Sequence, residues 1–340
     1  NDTMNPRRSP LLSVLGGIAA ASLILAACST GSAVSSAPPG GTLTLDFATY
    51  NPLSLIIKDK GWLEAELAGQ GVTVTWVQSV GSNKANEALR AEAIDVGSTA
   101  GSAALLARSN GSPIQVIDIY SQPEWSALVV PADSPIMSVA DLAGKRIAAT
   151  KGTDPYFFLL QSLQEAGLAA SDVTVEVLQH ADGWAALQNG SVDAWAGLDP
   201  IMAGAEEAGA KLLYRNVGFN SYGFLNATES FLSERPDLAQ AVVDAYEHAR
   251  AWALANPEET ARILADVAGL DLAVATRVIE ERSNLDVNPV PGKAQLDVLT
   301  RIGPIFVESG DVSNQQLIDA ALATLINRTF VTEADPERYK

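Results

Sequence analysis

The amino-acid sequence predicts an α/β fold of two lobes followed by C-terminal helices. Short apolar runs rich in β-branched residues alternate with segments of helical period, which implies parallel sheets joined by right-handed crossovers. One βα unit recurs further along the chain, and from Glu229 onward the pattern is almost all helix. Leu43 to Thr49 alternates as a strand. Asn51-Pro52 then opens a helix carried by the apolar period from Leu53 to Leu67, because proline suits the first helical turn. Val72 to Gln78 is the next strand, followed by the loop Ser79-Val80-Gly81 and a helix from Ser82. Strand Ile94 to Gly97, loop Ser98-Thr99 and helix Ala100 to Arg108 repeat the unit. Ile114 to Tyr120 and Ser126 to Pro131 are two further strands. A fresh series comprises strand Arg146 to Thr150, helix Pro155 to Ala166, strand Val173 to Leu178, helix Asp182 to Gln188 and strand Asp193 to Gly197.

The repeat aligns Leu89-Arg90-Ala91-Glu92-Ala93-Ile94-Asp95-Val96 with Leu187-Gln188-Asn189-Gly190-Ser191-Val192-Asp193-Ala194, each after a loop led by Gln78 or Gln179. A duplication nests one lobe inside the other: lobe one spans 42–122 plus 220–330, with the C-terminal helices, and lobe two spans 123–219. Tyr120 to Glu124 and Phe219 to Phe224 are then the hinge. Ligands of open α/β sheets sit beyond the carboxyl ends of the strands, so facing lobes would direct their βα loops into one cleft.

Arg7 and Arg8 precede an apolar run from Leu11 to Ala27 that is shorter than the roughly 20 residues of a membrane span. The run closes on Leu25-Ala26-Ala27-Cys28, which resembles the bacterial lipoprotein box and holds the one cysteine of the sequence. Residues 1–27 are expected to be a signal peptide, Cys28 the lipidated residue, and 28–41 a flexible tether of small uncharged residues. Removing residues 1–27 leaves 20 basic against 39 acidic groups, a net charge of −19. That balance disfavours nucleic acid, which needs clustered Lys and Arg. Two histidines, a single cysteine and the lack of nucleophile-elbow, zinc-protease or phosphate-loop patterns argue against an enzyme, although a pair of carboxylates leaves a secreted hydrolase open. No cofactor and no metal are expected.

Tyr50-Asn51-Pro52, Lys60-Gly61-Trp62-Leu63-Glu64, Gly81-Ser82-Asn83-Lys84-Ala85, Ile94 to Gly101, Gly152-Thr153-Asp154-Pro155 and Asp193 to Pro200 together resemble the solute-binding proteins of ABC importers for aliphatic sulfonates, taurine and nitrate. The resemblance covers most of residues 42 to 325. It implies a Venus-flytrap of the type II periplasmic-binding-protein class that closes on a small anionic or zwitterionic solute. It further implies delivery to a membrane permease by a lipid-anchored monomer on the extracytoplasmic face of the cell membrane. An alkanesulfonate or taurine is the expected solute; nitrate or a pyrimidine or thiamine precursor is the alternative, since related folds bind those.

The residues supply a physical reason for an anion. Tyr50-Asn51, Gly81-Ser82, Ser98-Thr99 and Gly152-Thr153 each lie at a helix start, where free N–H groups and the positive dipole end point outward. Each is equally suited to plain N-capping. Glu124, Asp154 and Asp199 lie at strand ends or helix starts, where they either cap or hold an ammonium group. Trp125, Trp195 and Tyr222 either cover an apolar part of the solute or fill the core, and His180 is either a loop histidine or a solute contact. Replacing Cys28→Ser is expected to abolish lipid labelling and membrane association while the domain beginning at Thr42 stays soluble. Metabolic labelling with a radioactive fatty acid checks this.

Overall fold

The computed structural model describes residues 40–340; residues 1–39, with the expected signal peptide, Cys28 and most of the tether, lie outside the described residues. The chain runs β1 (Gly41–Phe47), α1 (Pro52–Lys60), α2 (Trp62–Ala68), β2 (Val72–Gln78), α3 (Ser82–Arg90), β3 (Val96–Ala100), α4 (Gly101–Ser109) and β4 (Ile114–Ser121). It continues through β5 (Ser126–Val130), β6 (Arg146–Ala149), α5 (Asp154–Glu165), β7 (Thr174–Val177), α6 (His180–Gln188), β8 (Ala194–Leu198), α7 (Ile201–Glu207) and β9 (Lys211–Tyr214) to β10 (Gly223–Thr228). The helices α8 (Glu229–Glu234), α9 (Pro236–Ala255), α10 (Pro257–Ala268), α11 (Leu272–Arg277), α12 (Lys293–Glu308), α13 (Gln315–Thr324) and α14 (Thr329–Thr332) complete it.

The strands form two sheets of five, β2-β1-β3-β10-β4 and β7-β6-β8-β5-β9, one in each lobe of an α/β flytrap. The chain passes from the first sheet to the second between Ser121 and Ser126, and returns between Tyr214 and Gly223. The sheets are not wholly parallel. β10 runs antiparallel to β3 and β4, and β5 runs antiparallel to β8 and β9. The crossings explain this. β4 ends at the outgoing crossing and β10 begins at the return, so the two lie side by side in opposite directions without the crossover helix that a parallel pair requires.

Two other departures from the sequence reading have local causes. The single helix expected over Leu53 to Leu67 is split at Gly61, whose left-handed φ of 66° ends α1 and whose N–H closes on Ile57 O. Gly41, expected at the end of the tether, opens the sheet by pairing with Val72, and Gly40 N before it donates to Gln70 O at 2.8 Å. The core is apolar where the sheets face helices, with Leu43, Leu45, Leu53, Ile56 and Tyr246 fully covered on one side of β1. α12 packs against both α4 and α5, and Phe306 meets Phe157 with ring centroids 4.5 Å apart.

Arg250 on α9 fastens the end of β4. Its guanidinium donates to Tyr120 O and Leu285 O at 3.1 and 2.6 Å, to Ile119 O at 2.6 Å and to Asp118 Oδ1 at 3.3 Å. Glu247, one turn away, accepts from Nε at 2.9 Å. These acceptors are buried, so removing the cation strands all of them at once. Arg250→Ala is therefore expected to destabilise the fold by about 3–5 kcal/mol, read as a lower urea midpoint with an unchanged slope.

Candidate functional site

Helix starts from the two sheets meet in pairs along one seam. Ser102, in the first turn of α4, donates to Asp154 Oδ1 at 2.6 Å, and Asp154 opens α5. The same carboxylate accepts from Trp125 Nε1 at 2.8 Å on the outgoing crossing, and from Ser221 N at 2.9 Å and Ser221 Oγ on the return. Burial raises the Asp154 carboxyl above its ordinary value, and its donors oppose only part of that rise. A carboxylate this buried is tolerated because its lone pairs are filled by donors. Further along, Gly81 at the start of α3 lies against His180 at the start of α6.

Beside Trp125, which Asp154 holds from behind, lies a small cavity of about 10 Å³ between the sheets, room for about one water molecule. Tyr50 and Trp125 form one wall, edge to face at 6.0 Å, with the Tyr50 hydroxyl donating to Ser98 O at 2.9 Å. Asp199 and Arg282 form the other, 3.1 Å apart, with Thr49, Pro52, Ser121, Pro123, Val278 and Ser283 completing the lining. Asp199 also accepts from Ala203 N at 3.0 Å, and Arg282 reaches Glu206 at 2.6 Å. Burial pushes Asp199 up to about 6, with Arg282 opposing it. Arg282 ends a π-helical turn, Val278–Arg282, and its carbonyl accepts from Glu124 N at 2.9 Å, so its backbone is fixed to the outgoing crossing while its side chain reaches α7. Such turns often occur at functional positions.

Tyr50, Trp125 and Asp199 thus share the cavity, and Asp154 sits directly behind Trp125. Several other candidates are engaged elsewhere. Asn51 caps α1 through Ser54 N and donates to the Tyr246 hydroxyl at 3.0 Å. Ser82 Oγ accepts from Ala100 N at 2.9 Å, and Ser98 gives both its N–H and its hydroxyl to Asp46. Thr99 Oγ1 lies between Asn226 Nδ2 and Ala100 O, and Thr153 Oγ1 donates to Thr150 O at 2.6 Å. Gly152 turns with φ 75° beside Asn83 and Leu106. Tyr222 has φ 69° and accepts from Gly101 N at 3.2 Å. Glu124 faces outward and pairs with Arg215 at 2.8 Å, while Trp195 lies in the core against Trp184, where Gly183 leaves room for its indole.

Three groups were not anticipated from sequence. Arg282 lies in a helical stretch with no local signature. Ser121 ends β4, and its Oγ is buried without a partner. Asp46 is the one charged residue of β1, a signal that its place in an alternating strand hides.

A family model described as NMT1/THI5 like matches residues 54–260. An Escherichia coli (strain K12) protein with the provisional name aliphatic sulfonates-binding protein is 30% identical over 220 residues, 64% of this chain and 69% of that protein. A Bacillus subtilis (strain 168) protein with the same provisional name is 29% identical over 242 residues, 70% of this chain and 73% of that one. The solved structure of the alkanesulfonate-binding protein SsuA from Xanthomonas axonopodis pv. citri bound to MOPS superposes with a TM-score of 0.75 at 26% identity, over 85% of this chain and 98% of that chain.

Asp46 makes the pH dependence of the site testable. Burial raises its carboxyl to about 6, against the lowering effect of Ser98 N, Ser79 and Ser98 Oγ. A carboxyl raised in the folded state contributes stability that is fully present below its unfolded value of 3.8 and is lost as pH rises through about 6. Between pH 5 and 7 the protein should lose about 1 kcal/mol through this group. The loss should be smaller in Asp46→Asn, compared by thermal melts at both pH values.

Proposed function

Because the chain belongs to the NMT1/THI5-like family, we propose that it is the solute-binding component of an ABC importer that captures a small organosulfonate between its lobes. In this reading Cys28 carries a lipid that holds a monomer on the extracytoplasmic face of the cell membrane, and the loaded protein delivers its solute to the permease. Among the described residues no helix is long and apolar enough to cross a membrane. Lobe one is taken as 42–122 with 220–330 and lobe two as 123–219, with the two crossings as the hinge. The relatives named above, which carry sulfonate-binding names, support the solute class.

The observation that carries the proposal is the cavity wall. Arg282 is its one cation, Ser121 Oγ is an unengaged hydroxyl, and Tyr50, Trp125, Pro52 and Val278 offer an apolar surface for a short alkyl chain. A sulfonate accepts from Ser121 and from the Arg282 N–H groups that Asp199 and Glu206 leave free, while its chain lies on the rest. Because the lining comes from the loops of both sheets and from the segment after α11, a bound solute favours the closed arrangement through contacts that the open one lacks.

Titration calorimetry with ethanesulfonate, butanesulfonate and nitrate tests this. Butanesulfonate is expected to bind more tightly than ethanesulfonate, and nitrate, with no chain to cover, least tightly. Arg282→Lys keeps the charge but loses the fork of donors, so it should weaken both sulfonates about ten-fold. No heat from any sulfonate would discard the sulfonate reading.

A further inference from the structure

A carboxylate on the cavity wall confronts a solute that can only accept hydrogen bonds. Asp199 and Arg282 are the two charged residues among those lining the cavity, so the wall carries no net charge. The charges behind it balance as well: Arg282 Nη2 donates to Glu206 at 2.6 Å, and Arg277 on α11 stands 3.9 Å from the same carboxylate. Asp199 Oδ1 is engaged twice, accepting from Ala203 N at 3.0 Å and from Arg282 Nη1 at 3.1 Å. Oδ2 has one longer contact, to the same Nη1 at 3.3 Å. A sulfonate has three acceptor oxygens and no donor, and an ionised carboxylate likewise only accepts. With room for about one water, the cavity offers no layer of solvent to hold the two apart. Two like charges meeting there, out of water and sharing one guanidinium, disfavour each other.

We propose that Asp199 takes up one proton from solvent as the solute enters, and that Oδ2–H then donates to a sulfonate oxygen. The inference rests on the sulfonate reading and adds to it a proton, one for each solute captured. Protonation turns the wall's acceptor into a donor and leaves the positive charge of Arg282 to face the negative charge of the sulfonate. Oδ1 meanwhile keeps its bond to Ala203 N in the first turn of α7. Burial already holds the Asp199 carboxyl at about 6, against the pull of Arg282, so a further negative charge beside it has little left to do. The charged groups that face it are Arg282, Glu206 and Arg277, and Tyr50 stands across the cavity with a hydroxyl that burial keeps protonated. Asp46 and Asp154 lie behind the far wall, where Ser98 and Ser79 fill the first and Ser102, Trp125 and Ser221 the second. The bound anion raises the folded-state value of Asp199, so affinity is greatest below pH 6 and falls as pH rises above it.

A pH-stat titration with ethanesulfonate at pH 7 tests this, since it counts protons directly and needs no buffer that is itself a sulfonate. The wild-type protein should take up close to one proton per solute bound, and its affinity should fall about ten-fold between pH 7 and pH 8. Asp199→Asn carries its donor at every pH and keeps an oxygen for Ala203 N. It should take up no proton, show no pH dependence over that range, and bind about ten-fold more tightly at pH 7, because a group held at about 6 no longer has to be protonated there. Asp199→Ser, whose hydroxyl also suits a helix start, is the second variant and should likewise take up no proton. Ethanesulfonate binding to the wild type without proton uptake overturns the proposal while the sulfonate reading stands. Uptake that persists in either variant overturns it too, because the proton then belongs to another acid. If no sulfonate binds, both the reading and the proposal fall.

Discussion

A carboxylate removed from water must find donors, and the seam is organised around one that does. Asp154 is 1% exposed and draws its donors from α4, from the outgoing crossing at Trp125 and from the return at Ser221. These three segments are distant in sequence. Their convergence on one side chain therefore fixes how the second sheet sits against the first, and the neighbouring walls follow from it. Trp125 is oriented by its bond to Asp154, which in turn sets the edge it presents to Tyr50. Tyr50 is held by Ser98 O, and Ser98 by Asp46, so a second buried acid supports the first sheet's half of the same wall. Both acids are raised by burial and restrained by hydroxyl and backbone donors rather than by cations. The wall is thus braced from behind by two buried acids whose lone pairs are met without a cation.

Much of the architecture is legible in the sequence because periodicity is a local property. The βα units of both sheets follow from alternating and helical patterns, and the aligned segments at Leu89 and Leu187 occupy equivalent places at the ends of α3 and α6. What escapes is what depends on the path of the chain. β10 and β9 are short and unremarkable in composition, and their direction follows from the crossings rather than from any residue. Gly61 shows how a single left-handed residue overrides an apolar period that continues through it.

The site divides along the same line. Helix starts with hydroxyl residues are visible in sequence, yet a hydroxyl can satisfy its own helix, a neighbouring strand or a solute, and only the fold decides. Thr99 and Thr153 are engaged within the protein, whereas Ser121 is not. Arg282 lies 83 residues from Asp199, so nothing near either one announces their meeting. His180 was ambiguous for a different reason. The fold buries its imidazole at the start of α6, with Nδ1 3.3 Å from the Thr150 hydroxyl, and nothing in the local sequence announces that burial.

The placement of Trp125 also has an optical meaning. It is the one indole on the cavity wall, and its ring nitrogen touches a carboxylate that also binds the return crossing. Indole emission responds to the electric field and to the water around the ring, so a change in that carboxylate or in the hydration of the wall alters it. The protein therefore contains a chromophore on the cavity wall, and its spectrum can report the state of that wall without a label.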